Sequence, residues 1–305
     1  MQKGEKMGKK SLLALLVSAA TILSVCGSAW GSAETSTADA AEQPATVTLF
    51  AAKSLNSVME ELIPQYEKAH PGIKIVGSYD SSGTLMQQIE EGAACDLFFS
   101  AAQKQMNELE EKGFVVEGTR ADVVNNQVCV VTYKDSGTQV TGLSDIAKAA
   151  NLALADGSVP VGKYTRQALI NADLMPDYVA AKEKEGVEKK DIDASLITTE
   201  EVSDALGGIE INECANVGAV TAAVAEGSNE VGTVYRSDSY GHEKELEILE
   251  IVSCELTGNV IYPVAQIVNP EADEAEAAAA KAFAEYLVSD EAKAVFEKYL
   301  FDTNV

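Results

Sequence analysis

The chain is 305 residues long, carries a formal net charge of −25, and is 46% hydrophobic. That length and apolar content suffice for one large core or two lobes. The acidic excess argues against nucleic acid and against an anionic membrane surface as partners. It bears less on a small anionic ligand, because acidic groups on distant solvated faces are screened within about 10 Å.

The first segment reads as an address. Lys3, Lys6, Lys9 and Lys10 precede an apolar stretch from Leu12 to Val25. This is too short for a bilayer span but has the layout of a signal peptide, which we assign to residues 1–26. Leu23-Ser24-Val25-Cys26 has the form of a lipobox, in which Cys26 would be lipidated and become the mature N-terminus. Val25 departs from the small residue usual before such a cysteine, so ordinary cleavage near Ala29 or Ala33 is the alternative. Loss of residues 1–26 removes four lysines and one glutamate, taking the charge from −25 to −28. Residues 27–45, rich in Ser, Thr, Ala and Glu, read as a flexible tether. The expected location is extracytoplasmic, anchored through Cys26, or otherwise secreted or periplasmic.

Residues 47–100 read as strand, helix, strand, helix, strand. Val47–Phe50 is a short β-branched and aromatic run. From Leu55 the apolar residues Leu55, Val58, Met59, Leu62, Ile63 and Tyr66 fall at helical spacing, and His70-Pro71-Gly72 ends the helix. Ser54 stands where an N-cap belongs. Ile73–Gly77 is the second strand; a serine-rich turn, Ser78–Gly83, follows, and Thr84 opens a helix with Leu85 and Ile89 inside. One serine cap is ordinary helix punctuation. Two in consecutive strand–helix units point two sets of free backbone N–H groups the same way, which makes an anion receptor.

The runs FAAKSL, YDSSGTLMQQIEEGA and CDLFFSAAQKQM resemble the molybdate- and tungstate-binding proteins of ABC importers, in the type II periplasmic binding protein group. The likeness resumes at Val159–Leu169, Asn216–Asp238 and Ile261–Val268. It implies an α/β fold of two lobes, each a mixed sheet flanked by helices, with the ligand cleft between them. Lobe 1 would be residues 46–129 and 262–305, and lobe 2 residues 130–261. The helix Gln103–Lys112 and the strand Gln127–Tyr133 lead to the crossing, and Leu152–Asp156 is a buried strand. The charged region Asp173–Glu213 reads as an insertion, at about 173–213, with one or two extra helices.

Gly157, Gly162 and Lys163 imitate a phosphate-binding loop, but Tyr164 replaces the metal-binding Ser or Thr, and Pro160 lacks an N–H. Nucleotide binding is therefore not expected. In the resemblance, Val159–Gly162 is instead the turn where the Val161 backbone N–H meets the oxyanion. Val217 would give a backbone N–H at the start of the helix Asn216–Glu226. Tyr235, ending the strand Val231–Tyr235, would give its hydroxyl. Strands Glu245–Val252 and Ile261–Val268 and two helices within Glu271–Phe301 close the chain, the latter packing Phe283, Leu287, Val295, Phe296 and Tyr299 on lobe 1.

The expected site is thus Ser54, Ser82, Val161, Val217 and Tyr235: hydroxyls and N–H groups, with no cation required. The implied ligand is molybdate or tungstate, with no cofactor and no resident metal. The implied partner is a membrane ABC permease served by a monomer. Lys53 and Lys163 flank the turns, while Asp80 would repel the ligand if it pointed inward. Of the five cysteines, Cys95, Cys129, Cys214 and Cys254 show no metal-like spacing, and His70 and His242 are isolated. Three rivals remain: a site for sulfate or phosphate, an exported serine-dependent enzyme, and a lipid-anchored sensor or adhesion module. Against the enzyme, no G-x-S-x-G elbow occurs.

Overall fold

The computed structural model describes residues 43–305; Cys26, the signal segment and most of the tether fall outside them. Strand β1 (Ala45–Ala52) leads through a 3₁₀ turn, Lys53–Leu55, into α1 (Asn56–Ala69). Then come β2 (Ile73–Asp80), α2 (Ser82–Glu90), β3 (Leu97–Phe99) and α3 (Gln103–Glu111). β4 (Ala121–Asn126) and β5 (Val128–Tyr133) are separated by Gln127 alone. β6 (Asn151–Ala155) feeds α4 (Pro160–Asn171). After α5 (Pro176–Lys184) and α6 (Thr199–Ala205), β7 (Glu210–Cys214) feeds α7 (Val217–Ala225). β8 (Val231–Tyr235), β9 (Leu246–Ile251), the one-turn α8 (Cys254–Thr257) and β10 (Val260–Gln266) follow. The last described helices are α9 (Glu274–Leu287) and α10 (Asp290–Lys298).

The strands form two five-stranded sheets, ordered β2-β1-β3-β10-β4 and β7-β6-β8-β5-β9. In the first, β1 is parallel to β2 and β3, and β10 is antiparallel to β3 and β4. In the second, β6 is parallel to β7 and β8, and β5 is antiparallel to β8 and β9. Both lobes therefore repeat one plan. The middle strand of each parallel trio and its outer neighbour each feed a helix, giving α1 and α2 in one lobe and α4 and α7 in the other. Their N-termini lie at the carboxyl ends of the strands, where open α/β sheets bind ligands.

Several boundaries differ from those read in sequence. β2 stays paired with β1 as far as Asp80, so α2 begins at Ser82, not Thr84, and its N-cap is Ser81. Ser54 is not a cap: the chain turns directly from β1 into the 3₁₀ turn, and Ala52 holds the extended cap position. The chain enters the second sheet at Val128 and returns at Val260, where residues 129/130 and 261/262 were expected as boundaries. Strand β4 was unread because Ala121–Asn126 has too few apolar residues to stand out. The region 173–213 holds the two helices α5 and α6, but its end is the edge strand β7, whose exposed polar residues hid its pairing with β6.

The core is built as the apolar spacing predicts. Phe283, Leu287 and Phe296 are fully buried, and Phe283 meets Tyr66 of α1 edge-on at 4.9 Å. Each such side chain contributes about 1.5–3 kcal/mol by leaving water. The cysteines Cys95, Cys129, Cys214 and Cys254 are all free, and burial pushes the Cys95 and Cys129 thiols up to about 12. His70 caps the C-terminus of α1 and stacks on Tyr66.

Candidate functional site

Ser54, Ser82, Val161, Val217 and Tyr235 line one small cavity between the two sheets. They come from the ends of β1, β2, β6, β7 and β8. The repeated lobe plan brings turns of the two lobes together: Asp80 at the end of β2 meets Asn216 before α7, Lys53 after β1 lies along Gly218 of α7, and Gly83 of α2 approaches Ser158 before α4.

Each residue leaves a donor for the cavity. Ser82, fully buried at the first position of α2, accepts the Ala101 N–H at 2.9 Å on its Oγ, so its own proton remains to give. The Ser54 hydroxyl lies 2.9 Å from the Tyr262 hydroxyl. Asn126 Nδ2 donates both to Tyr262 Oη at 3.2 Å and to Ser237 Oγ at 2.8 Å. Either hydroxyl of this pair can donate; with Tyr262 giving its proton to Ser54 Oγ, the Ser54 proton is left for the cavity. Val161 and Val217 occupy first-turn positions of α4 and α7, whose N–H groups have no intrahelical acceptor. Pro160 at the first position of α4 presets the helical φ without losing a needed donor.

Tyr235 is 1% exposed, and its hydroxyl has no hydrogen-bond partner among the described residues. Burial raises its pKa well above 10, so it stays a protonated donor across the physiological range. An unpaired buried hydroxyl costs about 1–3 kcal/mol, a deficit that a bound acceptor would remove.

The charged neighbours take distinct places. Lys53 lines this cavity and also an adjoining open pocket shared with Ser54, Asp238 and His242. Its stem runs along Gly218, where a Cβ would come within 2.9 Å of the lysine Cε. Asp238 accepts the Tyr235 N–H at 3.0 Å on Oδ2; burial pushes its carboxyl up to about 7, opposed by that bond and by Lys53. Asp80 does not line the cavity, and its Oδ1 accepts from Ser81 N and from Asn216 Nδ2. The repulsion feared from sequence is therefore not aimed at the site. Among the described residues, no carboxylate lines the cavity. Among the described residues, no group of His, Cys, Asp and Glu could hold a metal ion.

The two lobes meet closely around this space. A Cβ at Gly83 of α2 would lie 3.0 Å from the Ser158 carbonyl of the other lobe, so glycine permits the approach. Gln105 Nε2 donates to the same carbonyl at 3.3 Å, and Lys104 pairs with Asp193 at 2.9 Å. Sequence reading missed Tyr262 and Asn126, which tie Ser54 to the crossing between lobes. One signal was present: Pro263 inside a strand marks the bulge at Tyr262/Pro263. Neither serine bonds to a base, since their partners are a tyrosine hydroxyl and a backbone N–H.

Comparison with known proteins agrees with this architecture. The chain is 31% identical over 261 residues to YvgL of Bacillus subtilis (strain 168), named as an ABC transporter substrate-binding lipoprotein, covering 85% of this chain and 87% of that one. It is 30% identical over 262 residues to the molybdate-binding protein ModA of Escherichia coli (strain K12), covering 84% and 88%. The periplasmic molybdate-binding protein of Azotobacter vinelandii superposes with a TM-score of 0.63 at 20% identity, over 84% of this chain and 98% of that one. This last likeness concerns the fold, the two-lobed type II arrangement. Residues 47–302 match the family described as bacterial extracellular solute-binding protein, and the chain belongs to that family.

Proposed function

We propose that this chain captures a tetrahedral oxyanion, molybdate or tungstate, in the cleft and delivers it to a membrane ABC permease. In this reading Ser54, Ser82 and Tyr235 give hydroxyl protons and Val161 and Val217 give backbone N–H groups. The observation that carries it is the Tyr235 hydroxyl, buried and unpartnered on a cavity also lined by Ser54, Ser82, Val161 and Val217. A dianion held by neutral donors in a dry cleft needs no counter-charge if each oxygen is fully hydrogen-bonded. The lack of a lining carboxylate disfavours hydrogen phosphate, whose proton seeks an acceptor. The names of the relatives favour molybdate. Lipidation of Cys26 would keep the protein beside its permease, matching the lipoprotein relative.

Calorimetric titration of the exported protein with molybdate, tungstate, sulfate and phosphate tests the reading. The first two should bind tightly and phosphate should not. Ser54→Ala, Ser82→Ala and Tyr235→Phe should each weaken binding by about 1.5–3 kcal/mol, roughly ten- to a hundredfold, as for a hydrogen bond to a charged group. Binding of sulfate or phosphate alone, or of nothing, would overturn the assignment.

A further inference from the structure

A carboxylate at the edge of an oxyanion cleft needs a reason to be there. Asp80 ends β2, immediately before the Ser81 cap of α2. Its Oδ1 accepts the Ser81 N–H at 2.7 Å and, across the cleft, the Asn216 Nδ2 at 3.0 Å. Asn216 is the N-cap of α7, where its Oδ1 accepts the Ala219 N–H at 3.0 Å. That cap fixes which end of the amide faces Asp80: the oxygen is engaged by the helix, so the NH₂ must point to the carboxylate. Asp80 and Asn216 stand at corresponding places of the two lobes, after β2 and after β7. The bond between them therefore ties together the two turns that present Ser82 and Val217.

We infer that Asp80 and Asn216 form a latch across the cleft, a positioning pair that holds the α2 and α7 N-termini in register. The latch favours the closed arrangement even before ligand arrives and slows ligand release afterwards. Its charge is spent on Ser81 and Asn216, so the carboxylate serves closure without facing the cavity. The effect on release rests on the oxyanion reading; the effect on closure does not.

The test is a charge swap. Asn216→Asp keeps a good N-cap but sets two carboxylates face to face. Asp80→Asn combined with Asn216→Asp rebuilds the same bond with donor and acceptor exchanged. Small-angle X-ray scattering of the ligand-free proteins reads closure, and stopped-flow displacement of molybdate reads release. We expect Asn216→Asp to enlarge the ligand-free radius of gyration and to speed release about tenfold, and the double variant to restore both. Thermal melting identifies a variant that has merely failed to fold, and rescue by the double variant separates a lost latch from a damaged helix. The latch is overturned if Asn216→Asp leaves the radius unchanged, or if the folded double variant stays as open as the single one. If molybdate does not bind the unaltered protein, the oxyanion reading fails while the scattering arm still decides the latch.

Discussion

Tyr235 and Asp238 are three residues apart, one buried and the other half-buried, and they serve opposite ends. The tyrosine hydroxyl is an unpaired donor, whereas the aspartate is held by the tyrosine's own N–H. Asp238 has a folded value of about 7 against an ordinary 3.8, so its protonated form favours the folded chain. That contribution is complete below about pH 4 and is lost as pH rises through 7. Asp238→Asn retains the acceptor for the Tyr235 N–H and removes the charge. Its melting temperature should therefore exceed that of the unaltered protein by a margin that grows from pH 4 to pH 7 and then levels off. A constant margin in a pH series of thermal melts would contradict the burial account. Of the site residues, Ser54 and Ser82 were legible from the turns that hold them. Val161 and Val217 were not legible as candidate donors from their own chemistry, because a backbone donor leaves no mark on side-chain type. Only resemblance singled them out.

Helix α4 shows how an element is aimed at the site. Arg166 is fully buried, and its guanidinium donates to the carbonyls of Ala155, Gly162 and Ile197 and to Thr199 Oγ1. It thereby joins the end of β6, the first turn of α4 and the segment leading into α6. Gly162 completes the fit, since a Cβ there would lie 2.1 Å from the Asp156 carbonyl. Arg166→Leu would take the charged donor away from these buried acceptors and should cost about 3 kcal/mol or more in urea unfolding, with the α4 N-terminus loosened. The charged region around 173–213 thus contributes a brace for the site's second lobe. Sequence could not reveal this, because an arginine in a helix reads as solvated until the carbonyls around it are known. Helices α1, α2, α7, α9 and α10 were legible from apolar spacing, whereas α5 and α6 were expected only as one or two helices of an insertion and α8 was not read; helix starts were less legible, because β1 and β2 continue through their mutual pairing.

At the scale of the whole molecule, the cleft is a space between two sheets that share one plan and are joined at Gln127 and again between β9 and β10. A ligand that bridges both lobes binds the folded, closed chain and not the unfolded one. At a hundredfold excess over Kd, molybdate should add about 2.7 kcal/mol of stability, raising the melting temperature by roughly 5–10 °C. Scanning calorimetry with and without molybdate checks this, and a melting temperature indifferent to the oxyanion would contradict a bridging site. The sequence by itself determined the strand–helix alternation of residues 47–100 and the serine turns, because these depend on periodicity and on local turn chemistry. The export signal was read from the same kind of local pattern and lies outside the described residues. Only the tertiary structure decided where the chain crosses between lobes, that Tyr262 and Asn126 support Ser54, that Arg166 braces α4, and that Asp80 turns away from the cavity to Asn216. Apart from the Arg166–Gly162 bond within α4, these depend on partners between 11 and 208 residues apart, and pairing across such separations is set by sheet order and packing, not by any local pattern.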